Sequence, residues 1–417
     1  MNVQKTNIGI FAGFPPEHNA HIIEAVMYIR ALQAMQFKTV VGLACSESRK
    51  REELLTENTD RYGATDIIKP LPYPEIPVLN LHEFADGYHI QPDAVARMIE
   101  EQRIDLCFFT YYPLFGQQLI ELLKNMRKQV ILIAKMPLVR PEQDSIFAKY
   151  HRGYAETIEA VDTLLAYQQN DVDLIEKQYP LARGKTFAAH KFVDEELIAA
   201  AQQKYDHILH DYDLEGFFCD AEHIVGLIGR IDPEKNVLPF VEEIWPRIHA
   251  ECPQAKLLIA GSGTRNQTLM SMTSNVQSIR FLSQAIPYVD VLALLGHIDV
   301  LAAPSGTDYT PRIPMDALLM KSQVVANDLN FNDVYRPYAH LAPVREFVEY
   351  SPYGYNDNTR MLQDATNRKY YGVPDAPAFA DCVIDALKGE SKKPLPETEF
   401  TPREFCAQFL HALQNSK

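Results

Sequence analysis

The sequence predicts an α/β protein of two doubly wound domains, each a parallel sheet covered by helices on both faces. Three observations predict it. The chain has 417 residues, and a single hydrophobic core stops growing at roughly 250–300. Short, nearly continuous apolar runs alternate with amphipathic stretches, as strands buried on both faces of a sheet require. The alternation breaks at 211–221 and restarts, which divides the chain into two halves of similar size.

In the first half, apolar runs place strands at 7–13, 38–44, 104–110, 129–134, 163–166 and 186–189. Amphipathic periodicity places helices at 19–35, 92–103, 115–126, 153–160 and 193–210. In the second half strands fall at 223–229, 256–261, 278–282, 299–303 and 323–326, with helices at 236–250, 288–296 and 312–320. Residues 328–372 are rich in Tyr, Pro and Asn and read as loops and short helices. A linker at 389–400 precedes a last helix at 402–414, with Phe405, Phe409, Leu410 and Leu413 on one face. The domains are therefore 1–212 and 213–387, with 388–417 as linker and C-terminal helix. A ligand would lie at the carboxyl ends of the strands, in the cleft between the domains.

Lys and Arg number 40 against 55 Asp and Glu, a net charge of −15. That excludes a generally basic nucleic-acid binder and argues against a polybasic membrane tether. Cys45, Cys107, Cys219, Cys252, Cys382 and Cys406 form no C-x-x-C, so zinc and thioredoxin-type readings fail. The expected compartment is a reducing cytoplasm. No signal-peptide core stands at the N-terminus, and no apolar run reaches the roughly 18 residues of a membrane span.

Two segments carry chemistry. In 226–245 an apolar strand runs into Gly229-Arg230, a turn with Asp232-Pro233, and a helix. Free N–H groups and the helix dipole favour an anion there. Arg230 and Lys235 flank the turn, one suited to bidentate phosphate binding and the other a point charge. A surface turn with two solvated cations is the plain alternative. In 298–328 a strand ends at Pro304-Ser305, a polar loop carries Asp308, and the next helix carries Asp316. Both carboxylates are suited to accept hydrogen bonds from sugar and ribose hydroxyls. Equally, Asp308 reads as a turn or cap residue and Asp316 as an acid favoured by the helix dipole.

Together these segments resemble the retaining glycosyltransferases of the GT-B fold, family 4. The matches are G-R-x-x-x-x-K at Gly229, Arg230 and Lys235, the spacing of E-x7-E at Asp308 and Asp316, the strand and turn 257–263, and the strand in 324–328. The resemblance covers about 222–328 and is weak in the N-terminal half. It implies two Rossmann-like domains facing a cleft, the first for the acceptor and the second for the donor. It further implies that Arg230 and Lys235 hold the diphosphate of a UDP-, GDP- or similar nucleotide-sugar and stabilise the leaving group. Asp308 would bind donor-sugar hydroxyls and Asp316 the ribose. Backbone at Thr310, Pro311, Arg312 and Ile313 would approach sugar and phosphate, and Gly261 and Gly263 would let the chain pass close to the nucleotide. No metal and no other cofactor is implied. Implied partners are a glycan or lipid-linked acceptor, with peripheral contact at the inner face of the membrane and a place in polysaccharide biosynthesis.

The sequence departs from the family in several places. Aspartates replace both glutamates, and Pro311 and Pro314 lack N–H donors. Only Gly13 stands where a Gly-Gly turn is usual, followed by His18 and His21, which are cleft candidates or helix-start residues. Lys135 occupies the place of a family histidine and reads as an anion ligand or a loop lysine. The N-G-V-D turn survives only as Lys191-Phe192-Val193-Asp194. Tyr111 and Tyr112 are candidates to stack on an acceptor sugar, or to pack at a helix start. These departures leave two alternatives open: a weakly active or inactive GT-B protein that binds a nucleotide-sugar or a partner, and an NDP-sugar epimerase of the same fold.

Overall fold

A computed structural model describes residues 6–13, 20–46, 78–84, 87–90, 92–110, 122–126, 128–133, 158–284, 286–308, 310–350, 369–390, 392–396 and 398–415. The first half contains β1 (Asn7–Gly13), α1 (Ala20–Ala34), β2 (Lys38–Ser46), β3 (Val78–Phe84), β4 (Gly87–Ile90), α2 (Pro92–Glu101), β5 (Leu106–Phe109) and β6 (Gln129–Ile133). It continues through β7 (Thr163–Ala166), α3 (Gln169–Gln178), β8 (Thr186–Ala188) and α4 (Glu195–Asp211). Its strands form one eight-stranded sheet in the order β4-β3-β2-β1-β5-β6-β7-β8. The pairings are parallel except β3 with β4. Strands β3 and β4 lie in a stretch where no strand was expected. The helices expected at 115–126 and 153–160 fall mostly outside the described residues.

A short helix α5 (Glu215–Cys219) occupies the stretch where the alternation breaks. The second half follows as β9 (His223–Ile228), α6 (Val237–Pro239), α7 (Trp245–Glu251), β10 (Ala255–Ala260), α8 (Asn266–Thr273), β11 (Ile279–Leu282), α9 (Tyr288–Leu295) and β12 (Val300–Ala303). Then come α10 (Arg312–Leu319), β13 (Gln323–Asn327), β14 (His340–Ala342), β15 (Val344–Tyr350), β16 (Lys369–Pro374), α11 (Ala376–Leu387) and α12 (Pro402–Asn415). Strands β9 to β14 form a six-stranded parallel sheet in the order β11-β10-β9-β12-β13-β14. Within 328–372 the described residues hold the expected short helix, a 3₁₀ turn at Asn330–Tyr335, but they also supply β14 and, with β16, one antiparallel ribbon of β15 and β16. Between α6 and α7 the segment Phe240–Ile244 is π-helical, and the Trp245 N–H reaches Phe240 O. Pro246 next to it has no N–H to continue the α-helical ladder.

The second sheet is buried on both faces, which explains its continuous apolar strands. Along β9, Ile224 and Ile228 face the core shared with the first half, while Val225 and Leu227 face a second core with α7 and α11. Helix α4 lies against α9, where Asp290 receives Lys204 Nζ at 2.5 Å and Tyr212 OH at 2.9 Å. Its start is fixed by Asp194, which accepts the Glu196 N–H at 3.0 Å as an N-cap. Helix α12 packs back on α1, β7 and β8. Its Phe405 and Phe409 fill the space beside Tyr28 and Phe108.

Candidate functional site

In the second sheet, β9 sits between β10 on one side and β12 on the other. The strand order reverses there, and the loops leaving β9 and β12 diverge around a crevice where open α/β sheets take ligands. The β9 loop is Gly229 to Asp232, then a 3₁₀ turn Pro233–Lys235, then Asn236. Pro233 stands at the start of the turn, where its missing N–H costs nothing. Asn236 adopts left-handed backbone with φ 53°, a conformation asparagine tolerates better than most residues.

Asn236 is fully buried, and its side-chain amide donates to Pro304 O at 2.8 Å and Gly372 O at 2.7 Å. Asn327 donates to the same Pro304 carbonyl at 2.8 Å and to Ser305 O at 3.1 Å. Gly306 N–H donates to Glu234 O at 2.8 Å, and Gly372 N–H to Gly306 O at 2.9 Å. The β9 and β12 loops are thus stitched to each other and to β16. On the other side, a Cβ at Gly261 (φ 145°) would lie 1.8 Å from Gly229 O, and one at Gly263 2.5 Å from the Ile231 carbonyl. These two glycines were expected to admit a nucleotide. The structure accounts for them by the close approach of the β9 and β10 loops.

The predicted cations and the loop carboxylate come together. Arg230 is paired with Asp232, and its Nη2 lies 2.6 Å from Glu234 Oε1. Asp232 is buried and also accepts Thr264 N–H at 3.0 Å and Thr264 Oγ1 at 2.9 Å. Lys235 Nζ donates to Asp308 Oδ2 at 2.5 Å, with both side chains less than a quarter exposed (18% and 23%). Asp308 also lies close enough to Arg230 to stabilise its charge. Glu234, Asn236 and Asn327 are not singled out by the sequence, and Asp232 only as part of the turn. The Pro233–Asn236 run, with a turn former at each end, is the signal that would have drawn attention to them.

Asp316 differs from the expectation of an open cleft carboxylate. It is 1% exposed, and its Oδ1 accepts Tyr288 OH at 2.8 Å and lies 3.6 Å from Arg312 Nε. Burial pushes its carboxyl up to about 6, against the opposing pull of Arg312 and Tyr288. Burial also holds the Tyr288 phenol protonated, so it is the donor in this pair. Arg312 is engaged with Tyr288 and with residues of the first half. It donates from Nε to Tyr288 OH at 2.9 Å and from Nη2 to Phe192 O at 3.0 Å and Met27 Sδ at 3.1 Å. The other loop residues are also engaged: Thr310 is buried with φ 48°, Pro311 O accepts Tyr335 OH at 2.5 Å, and Ile313 packs on the core. Pro314 falls in the first turn of α10, where an N–H has no intrahelical partner.

The two halves meet beside this site. Lys191, from the degraded turn, pairs with Glu24 of α1 at 3.0 Å, both nearly buried. Tyr167 OH donates to Glu24 Oε2 at 3.4 Å. Across the interface, Gln168 Oε1 accepts Val334 N–H at 2.9 Å and Asn170 donates to Asp333 Oδ2 at 2.8 Å. Asp171 beside them is buried, and burial raises its carboxyl to about 7. Gly13 ends β1 opposite Ala44, and His21 lies in α1. His18, Tyr111, Tyr112 and Lys135 lie outside the described residues. No group of three or more metal-ligating side chains converges among the described residues.

Residues 222–347 match the family model of Glycosyl transferases group 1. A GDP-mannose-dependent monoacylated alpha-(1-6)-phosphatidylinositol monomannoside mannosyltransferase of Corynebacterium glutamicum is 31% identical over 91 residues. That match covers 22% of this chain and 23% of the relative, so less than a quarter of the relative's length is spanned. Solved structures align along the whole chain. Sucrose-phosphate synthase of Thermosynechococcus elongatus aligns with a TM-score of 0.59 at 14% identity, covering 98% of this chain and 97% of that one. Anabaena HepE in complex with UDP-glucose aligns with a TM-score of 0.60 at 13% identity, covering 98% and 99%. The chain has the GT-B fold, and its second half carries a glycosyl transferases group 1 domain.

Proposed function

We propose that this GT-B protein is a glycosyltransferase that moves a hexose from a nucleotide-diphosphate sugar to a glycan, lipid-linked or small acceptor, with retention of anomeric configuration as in family 4. The observation that carries the reading is the gathering of Arg230, Lys235 and Asp308 at the point where the strand order of the second sheet reverses. The mannosyltransferase relative and the UDP-glucose complex of HepE support a nucleotide-sugar donor. In this reading Arg230 and Lys235 neutralise the diphosphate and stabilise charge on the departing nucleotide. Asp308 accepts hydroxyls of the donor sugar, and backbone from Gly229 to Asp232 and from Thr310 to Ile313 lines the donor.

Asp316 is buried and bonded to Tyr288, so its first role in this reading is to anchor α10 through Tyr288 and Arg312. The acceptor lies on the first domain, near the carboxyl ends of β1 and β5. Among the described residues no helix is long and apolar enough to cross a membrane, and a lipid-linked acceptor is met by peripheral contact at the inner face of a cytoplasmic membrane. The reaction needs no metal. The test is a panel of UDP- and GDP-hexoses with glycan and lipid-linked acceptors, with product stereochemistry read by NMR. Acceptor-dependent release of nucleoside diphosphate that persists in EDTA supports the reading. Tight nucleotide binding with no turnover refutes it in favour of a binding protein, and an epimerised sugar without acceptor refutes it in favour of an epimerase.

A further inference from the structure

Each charged side chain from Arg230 to Lys235 is already engaged within the chain. Arg230 is held by Asp232 and Glu234, and Lys235 by Asp308. Two cations face three carboxylates, so the cluster carries an excess of negative charge. Arg265, whose N–H donates to Ile231 O at 2.9 Å, stands exposed beside the turn. A nucleoside diphosphate is itself an anion, and to gain the charge of Lys235 it must displace the carboxylate that neutralises it at hydrogen-bond distance.

The three carboxylates are not equally buried. The Asp232 side chain is 3% exposed and is held on its other oxygen by Thr264; that of Glu234 is 8% exposed. Asp308 is the most exposed, at 23%. It sits in the loop between two anchored points, Pro304 O under Asn236 and Asn327, and Pro311 O under Tyr335 OH. The ends of this loop are fixed, and its carboxylate is partly open to solvent beside Lys235.

We infer that donor binding is an ion-pair exchange, in which the diphosphate takes Lys235 from Asp308 and the released Asp308 carboxylate turns to the hydroxyls of the donor hexose. The inference rests on the donor reading proposed above and adds an order of events to it. No bond is made or broken and no proton moves. The carboxylate becomes available to the sugar only once the phosphates are seated, so the sugar contact is made on a donor already held at its diphosphate.

The test is calorimetric titration of wild type, Asp308→Asn and Asp308→Glu with UDP and with GDP, both without sugar. Thermal midpoints verify folding, and Asp308→Ala gives the same readout should Asn disturb the loop. Removing the competing charge makes Asp308→Asn bind the nucleotide about tenfold tighter than wild type, between the worth of an exposed ion pair and that of a charged hydrogen bond. Asp308→Glu keeps the charge and returns affinity to near the wild-type value. Wild-type binding with Asp308→Asn no tighter, or weaker, overturns the exchange and leaves the donor reading standing. Absence of binding by all forms overturns the donor reading and the exchange with it.

Discussion

Asp316→Asn is expected to change the pH dependence of stability in a defined direction. The Asp316 carboxyl is 1% exposed and raised to about 6 in the folded protein, against about 3.9 for an aspartate in an unfolded chain. Between those values the native state binds the extra proton, so unfolding free energy falls as pH rises. The contribution is fully present below about pH 4 and is lost as pH passes through about 6. A shift of about two units corresponds to about 3 kcal/mol. Asparagine mimics the protonated form and lacks this slope. Its absolute stability also reflects the loss of the carboxylate beside Arg312, so the readout is the difference between the two proteins as a function of pH. Denaturant unfolding at several pH values from about 4 to 7 measures it. Wild type should lose about 3 kcal/mol relative to the variant over that range. Asp171, raised to about 7, is common to both proteins and cancels. Parallel curves would refute burial as the force that holds the Asp316 carboxyl raised.

Arg312→Met leaves Asp316 buried without its cation and Phe192 O without its donor. Unfolding measurements at neutral pH should show a loss of about 3–5 kcal/mol, shrinking towards pH 5 as Asp316 protonates; a loss under about 1 kcal/mol would mean that Arg312 is not the pin between the halves. Gly261→Ala forces a Cβ to 1.8 Å from Gly229 O at φ 145°, so the β9 and β10 loops must part. Poor yield or a much lowered thermal midpoint is expected, and a variant of native stability would show that this close approach is not required.

Much of the architecture was legible because parallel strands buried on both faces leave long apolar runs. The strands β1, β7 and β9 to β13 sit close to where those runs fall. Strand β14 was not legible because it is only three residues long, and β15 and β16 because Tyr, Pro and charged residues obscure alternation in their ribbon. Helix α8 was missed because NQTLMSMT carries only a narrow apolar stripe, burying Leu269 and Thr273, and helix α11 because its polar side is only a narrow stripe carrying Asp381 and Asp385. In the site, the Gly229–Lys235 turn and Asp308 were readable from residue type and order. The depth of Asp316 was not. Spacing along a helix places a carboxylate on a face, and Tyr288, 28 positions away in sequence, decides whether that face is open. Likewise Asn236 and Asn327 look like turn residues until both are seen to donate to one carbonyl.

The central claim, that Arg230 and Lys235 form the diphosphate site, is tested most directly by equilibrium titration of wild type, Arg230→Ala and Lys235→Ala with UDP- and GDP-hexoses. Wild type should bind at least one of them, and each variant should lose roughly 1.5–3 kcal/mol, as for a charged hydrogen bond. Binding that is unchanged in both variants would contradict the claim.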